Sequence, residues 1–195
     1  MNTSAFTILL SAIIFGAVAA EPEFECVLSA ERASYKVGEA PRFSFSIGNK
    51  STQDVVLVRS LDGSDRGSRY PRCRIEIRDA KGQPLKVVGP ACGNTNFLRV
   101  ADFVPVPAGK VFEPYGKGFF TPIYSDQFPV KTPGVYTFQC IYATSDRMQD
   151  YFGFDQQNGR MVAAETQELF ALIPKIEIRS NELKLKFTPA AAKAK

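Results

Sequence analysis

Apolar and polar residues alternate along most of the chain with the two-residue period of a pleated strand. In PRFSFSIGN, Phe43, Phe45 and Ile47 fall on one side and Arg42, Ser44 and Ser46 on the other, which predicts a strand over Pro41–Asn49. From Cys73 to Asp79, Cys73, Ile75 and Ile77 point one way and Arg74, Glu76 and Arg78 the other. The turn Asp79-Ala80-Lys81-Gly82 and the apolar Leu85–Val88 follow, and together they predict a hairpin. In TPGVYTFQCIYAT a Pro-Gly turn starts a strand. Tyr136, Phe138, Cys140 and Tyr142 share one of its faces and Val135, Thr137, Gln139 and Ile141 the other. The aromatic-and-cysteine face requires a core, so this strand is read as the centre of the fold.

Weaker signals complete the set. Glu25–Val37 reads as one strand or two short ones ending at Gly38, and Val55–Val58 is β-branched and apolar on both faces, as in a strand covered on both sides. Phe97–Pro122 is broken by Pro105, Pro107, Pro114 and Pro122 into edge strands and ordered loops. The strand pattern lapses between Ser145 and Pro174. There Glu165–Ile173 has Leu169, Leu172 and Ile173 at helical spacing before Pro174, predicting an insertion with a short helix. In Lys175–Phe187 the inward parity passes from Ile176 and Ile178 to Leu183, Leu185 and Phe187, so a bulge or break is expected near Ser180-Asn181. The expected fold is an all-β, immunoglobulin-like antiparallel β-sandwich with that helical insertion before its last strand.

The N-terminus adds an address. MNTSAFTILLSAIIFGAVAA has no charged side chain, an apolar run from Phe6 to Val18 and small residues at its end, the layout of a secretory signal peptide cleaved after Ala20. The run is shorter than the ~20 residues of a membrane span, and no later segment is long and apolar enough to cross. The expected organisation is a signal peptide at 1–20, one sandwich domain at 21–188 and a disordered tail at 189–195, with the protein periplasmic or extracellular.

Charge and composition mainly exclude. With 24 Lys and Arg against 20 Asp and Glu, the net charge of +4 is small and dispersed, so nucleic acid is not an expected partner. The chain has no histidine, which removes the commonest general base, the usual triads and ordinary zinc sites. No nucleophile elbow, phosphate loop or C-x-x-C pair is present. No catalytic residue, metal site or cofactor is expected. Four cysteines in an exported chain imply two disulfides. The hairpin turn lies midway between Cys73 and Cys92, so the expected bridges are Cys73–Cys92 and Cys26–Cys140.

Two loops stand out as candidate ligand contacts. In SLDGSDRGSRYPRCR, Arg66, Arg69 and Arg72 flank Tyr70, with Arg59 before them and Arg74 after. Clustered guanidinium forks beside an aromatic ring can grip phosphate, sulfate or carboxylate groups. The competing reading is a solvated loop neutralised by Asp62, Asp65, Glu76 and Asp79. Asp62-Gly63-Ser64-Asp65 lacks the ligand count of a calcium loop. In CGNTNFLRVADF, Asn94 and Asn96 could contact a ligand or simply bond their own backbone. Asn49-Lys50-Ser51 matches a glycosylation sequon, a motif short enough to arise by chance.

Ser60–Asp65, Arg69-Tyr70-Pro71, Cys92-Gly93-Asn94, Asp102-Phe103 and Pro133–Tyr136 together form a pattern that resembles a group of uncharacterised exported bacterial proteins. The resemblance implies no activity. A fainter similarity of layout links the strand order to bacterial intracellular proteinase inhibitors and other immunoglobulin-like modules. The expected function is that of an exported, non-catalytic binding or structural module of the bacterial envelope, contacting an anionic glycan or a protein partner. The alternatives are a secreted peptidase inhibitor and a histidine-free carboxylate hydrolase.

Overall fold

The computed structural model describes residues 23–87, 96–121, 123, 127–153 and 162–190. The expected signal peptide at 1–20, Cys92, Asn94 and most of the tail lie outside the described residues. Among the described residues ten strands run in chain order: β1 (Phe24–Ala30), β2 (Ser34–Lys36), β3 (Phe43–Asn49), β4 (Val55–Val58), β5 (Arg72–Arg78), β6 (Phe103–Val106), β7 (Val111–Phe112), β8 (Gly134–Ala143), β9 (Glu177–Arg179) and β10 (Leu183–Thr188). One sheet has the order β1-β3-β7, and the other β2-β10-β8-β5 with β9 also on β8. β4 and β6 form a separate antiparallel pair. β2 runs parallel to β10, while the other ladders are antiparallel.

The two sheets close on one core because the alternation puts every second side chain between them. Phe43, Phe45 and Ile47 of β3 face Tyr136, Phe138, Cys140 and Tyr142 of β8, and all are buried. Phe138 packs on Phe43 with ring centroids 5.4 Å apart and lies parallel to Phe128 at 6.3 Å. Tyr136 carries a signature of the immunoglobulin fold. Its hydroxyl donates to the carbonyl of Thr132 at 3.0 Å, the corner by which the strand's first tyrosine ties down the chain entering it. With this corner, the parallel β2–β10 pair and the central β8, the chain is an immunoglobulin-like β-sandwich.

β9 and β10 are two pieces of one broken strand. Arg179 stands opposite Ile141 and Leu183 opposite Phe138, so the register shifts by one residue across Ser180–Glu182. Ser180 heals the break: its N–H donates to the Cys140 carbonyl and its Oγ accepts the Cys140 N–H, each at 2.9 Å. Asn181 turns outward onto β1, where its side-chain amide accepts from the Leu28 N–H at 2.8 Å and donates to the Leu28 carbonyl at 3.2 Å. A side chain thus occupies part of an edge that would otherwise offer free backbone groups.

Three expectations are corrected or narrowed. Cys26, Cys73 and Cys140 are free, buried thiols, so the Cys26–Cys140 bridge is not formed. Cys73 faces Tyr142 and Cys140 faces Ile75, which makes these two cysteines diagonal neighbours on adjacent strands. Cys26 reaches the same core from the facing sheet, so the three thiols are neighbours there and remain reduced. Because Cys73 is itself a free thiol, the expected Cys73–Cys92 bridge is not formed either; Cys92 lies outside the described residues. The hairpin after β5 is present but short: Gly82 N–H bonds the Asp79 carbonyl to close the turn, and the return segment pairs antiparallel through the Arg78–Pro84 bridge and the Leu85 N–H to Ile77 carbonyl bond, without a longer second strand among the described residues. Asn49 of the sequon match is fully buried, with its amide donating to the carbonyls of Gln53 and Val106.

The insertion before the last strand contains a four-residue 3-10 turn, Met148–Tyr151, and the helix α1 (Ala164–Phe170). It brings a second, smaller core in which Val58, Leu61, Leu98, Phe103 and Tyr151 are buried, with Tyr70, Leu169, Phe170 and Ile173 packed against them. Among the described residues no helix is long and apolar enough to cross a membrane.

Candidate functional site

Arg72 opens β5 opposite Ala143, the last residue of β8. The loop leading into β5 and the segment leaving β8 therefore emerge together at one end of the sandwich. Chain economy alone places Ser60–Pro71 beside Thr144–Phe152, and a recess of about 270 Å3 lies between them.

The arginine-rich loop is ordered from within. Ser64, fully buried, accepts the Leu61 N–H on its hydroxyl at 2.9 Å, and its carbonyl takes the N–H groups of Gly67 and Cys73. Gly63 and Gly67 have φ of 88° and 69°, a left-handed conformation that glycine adopts without steric cost. Ser68 bonds Gly63 through both its N–H and its hydroxyl. Tyr70 N–H donates to the Asp150 carbonyl at 2.8 Å, joining the loop to the 3-10 turn.

Arg69 lies beneath this junction and is 3% exposed. One Nη donates to the carbonyl and side-chain Oδ1 of Asn96, at 2.9 and 2.8 Å, and the other donates to the Tyr151 carbonyl. One guanidinium thus pins three stretches of chain. Burial pulls its pKa down to about 10, against the opposing pull of the Asp62 and Asp102 charges, so it stays protonated at neutral pH. Its Nε is buried without a hydrogen-bond partner among the described residues.

The exposed wall is charged. The Arg72 guanidinium carbon sits 4.6 Å from the centre of the Tyr70 ring, a cation–π contact, and the Tyr70 ring in turn packs on Tyr151 at 5.9 Å. No ion pair engages Arg72 among the described residues. Opposite, Arg147 holds Asp150 through two hydrogen bonds of 2.9 and 3.3 Å, and the same carboxylate accepts the Ser145 hydroxyl at 2.5 Å. Gln149 and Phe152 complete the lining.

Of the six candidate contacts, Arg69, Tyr70 and Arg72 meet at this recess. Asn96 supports it from behind as the partner of Arg69. Arg66 does not join them: the tight turn at Ser64–Gly67 sends it to the other flank of β5, within 4.0 Å of Asp65 and beside Arg74 and Glu76. Asn94 lies outside the described residues. Sequence reasoning missed Arg147 and Gln149, since only pairing of β5 with β8 brings their segment to the arginine loop.

Three guanidinium groups and one carboxylate give the recess a positive excess. What it can do chemically is hold an anion bearing hydrogen-bonding groups. Its one lining carboxylate, Asp150, is engaged by Arg147 and Ser145.

The fold and this recess define the class: an immunoglobulin-like module with a guanidinium-lined pocket at one end of its sandwich. No family model matches the chain, and no curated protein is similar to it. Among solved structures it is similar to the Salmonella enterica SafA pilin in complex with the SafB chaperone, at 13% identity and a TM-score of 0.30. That likeness covers 90% of this chain and 59% of that chain. The chain therefore spans under two thirds of its neighbour, and at this TM-score the likeness carries no argument about function.

Proposed function

We propose that the protein is an exported, non-catalytic binding module of the bacterial envelope, and that the recess at the end of β5 and β8 receives an anionic group carried by a glycan or a protein partner. The observation that carries this reading is Arg72. Its guanidinium is held over Tyr70, outside any ion pair among the described residues, at the mouth of a recess whose other cations are Arg69 and Arg147. A planar fork held by an aromatic face has lost part of its rotamer freedom before binding, so less is lost on meeting a carboxylate, sulfate or phosphate. Export is supported by the signal-like first twenty residues.

The test is retention of the mature chain, from Glu21, on immobilised carboxylated and sulfated polymers at low and at physiological salt. Retention is expected, with elution by salt as surface electrostatics requires, and Arg72→Glu combined with Arg147→Glu should abolish it. Equal retention of the double variant would refute the assignment of this recess.

A further inference from the structure

The size, lining and charge of the recess are more selective than the presence of arginines. Resting on the proposal that this recess holds an anion, we infer that its ligand is a single acidic sugar residue, with its carboxylate on the Arg72 fork and its hydroxyls on Asp150 and Gln149.

Volume sets the first limit. At about 270 Å3 the recess lies just under the ~300 Å3 at which small-molecule pockets begin, room for one ring and not for a chain. A bare tetrahedral oxyanion, on the scale of ~30 Å3 per water-sized group, would leave most of that space to solvent.

Lining sets the second. The exposed wall is mostly polar, from Ser68, Arg72, Arg147, Gln149 and Asp150, with the rings of Tyr70 and Phe152 as its smaller apolar part. Such a wall favours a ligand that carries donors and acceptors around its circumference. A pyranose does, whereas an apolar or aromatic acid would strip water from these groups without replacing its hydrogen bonds.

Charge sets the third. Arg72 supplies a cation outside any ion pair among the described residues, but Asp150 forms part of the same wall, and Asp62 already acts on Arg69. A monoanion gains from Arg72 at little cost from Asp150. A dianionic phosphate monoester would place its second charge against that carboxylate. Asp150 is useful to a hydroxylated ligand, because a carboxylate whose oxygens already take Arg147 and Ser145 keeps acceptor capacity for a sugar O–H.

The experiment titrates the isotopically labelled mature chain with D-glucuronate, D-galacturonate, D-glucose and inorganic phosphate, following backbone amide shifts, with circular dichroism confirming the fold of each variant. Saturable binding of a uronate is expected, shifting the amides of Gly67–Arg72 and Arg147–Phe152. Glucose should bind at least about tenfold more weakly, and Arg72→Ala should weaken uronate about tenfold or more, the loss of one charge-assisted bidentate contact. Gln149→Ala should weaken uronate without changing any response to phosphate. Uronate and glucose binding alike would overturn the carboxylate assignment. Arg72-dependent binding of phosphate without binding of either uronate would overturn the sugar while leaving the anion site standing. If no anion shifts these amides, both readings fall.

Discussion

Replacing Arg69 by alanine should cost far more stability than replacing any other arginine at the recess. Arg69 is buried and donates to the carbonyls of Asn96 and Tyr151 and to the Asn96 side chain. A hydrogen bond from a charged donor contributes ~1.5–3 kcal/mol, and each buried carbonyl left without a donor costs ~1–3 kcal/mol. Against these stands the relief of a cation that burial disfavours, visible in the fall of its pKa to about 10. The balance is a loss of about 3–5 kcal/mol, the range found when one partner of a buried charged cluster is removed. For a domain of this size that is a fall in melting temperature on the order of 10 °C. Urea denaturation followed by circular dichroism measures it, with the exposed Arg72→Ala as the control, expected within ~0.5 kcal/mol of the parent. Arg69→Lys should recover only part of the loss, since an ammonium cannot fork between Asn96 and Tyr151. An Arg69→Ala midpoint within 1 kcal/mol of the parent would refute the claim that this side chain joins the three segments.

Other consequences are equally direct. The Tyr142 hydroxyl both accepts the Val58 N–H at 3.0 Å and donates to the Val58 carbonyl at 2.9 Å, so Tyr142→Phe strands two buried backbone groups and should cost about 2–4 kcal/mol in the same urea assay. Asn181→Ala should cost about 1–2 kcal/mol there and accelerate hydrogen exchange at the Leu28 amide, which the Asn181 Oδ1 accepts. Burial raises the Cys26 pKa from 9.0 to about 12, and raises those of Cys140, Tyr115, Tyr142 and Tyr151 as well. Groups whose folded pKa exceeds the unfolded value contribute their full stability below the unfolded pKa and lose it as pH rises towards the folded one. Melting temperature should therefore fall steadily above pH 9, and a flat profile from pH 9 to 11 would contradict the burial. At pH 8 iodoacetamide should leave Cys26, Cys73 and Cys140 unmodified until denaturant is added, as mass spectrometry of the labelled peptides would show.

Strands with one wet face were the most legible part of the chain. Phe43, Phe45 and Ile47 are all buried, and Tyr136, Phe138, Cys140 and Tyr142 face them, because alternation records directly which side chain leaves water. The parity slip after Ile178 announced the break that Ser180 and Asn181 fill. The helix begins one residue before Glu165 and ends at Phe170, three short of the expected Ile173. The cysteines were read poorly. Their count argued for the bridges Cys26–Cys140 and Cys73–Cys92, but joining depends on local geometry in the packed core, where Cys26, Cys73 and Cys140 all stay free.

The sequence by itself determined the all-β class, the aromatic core face of β8, the absence of histidine chemistry and the presence of an arginine-rich loop. These are local properties: side-chain period, residue type and turn chemistry act over a few residues. Only the tertiary structure decided what the arginines do. Arg66, Arg69 and Arg72 are spaced three apart and look equivalent in the text, yet one meets Asp65 on the far flank of β5, one is buried as a brace, and one stands over Tyr70 at the recess. The difference comes from pairing β5 with β8, which carries Arg147–Phe152 across about 75 residues of chain to the arginine loop. No pattern within either segment encodes that meeting, because it is set by the register of two strands and the packing of the core beneath them.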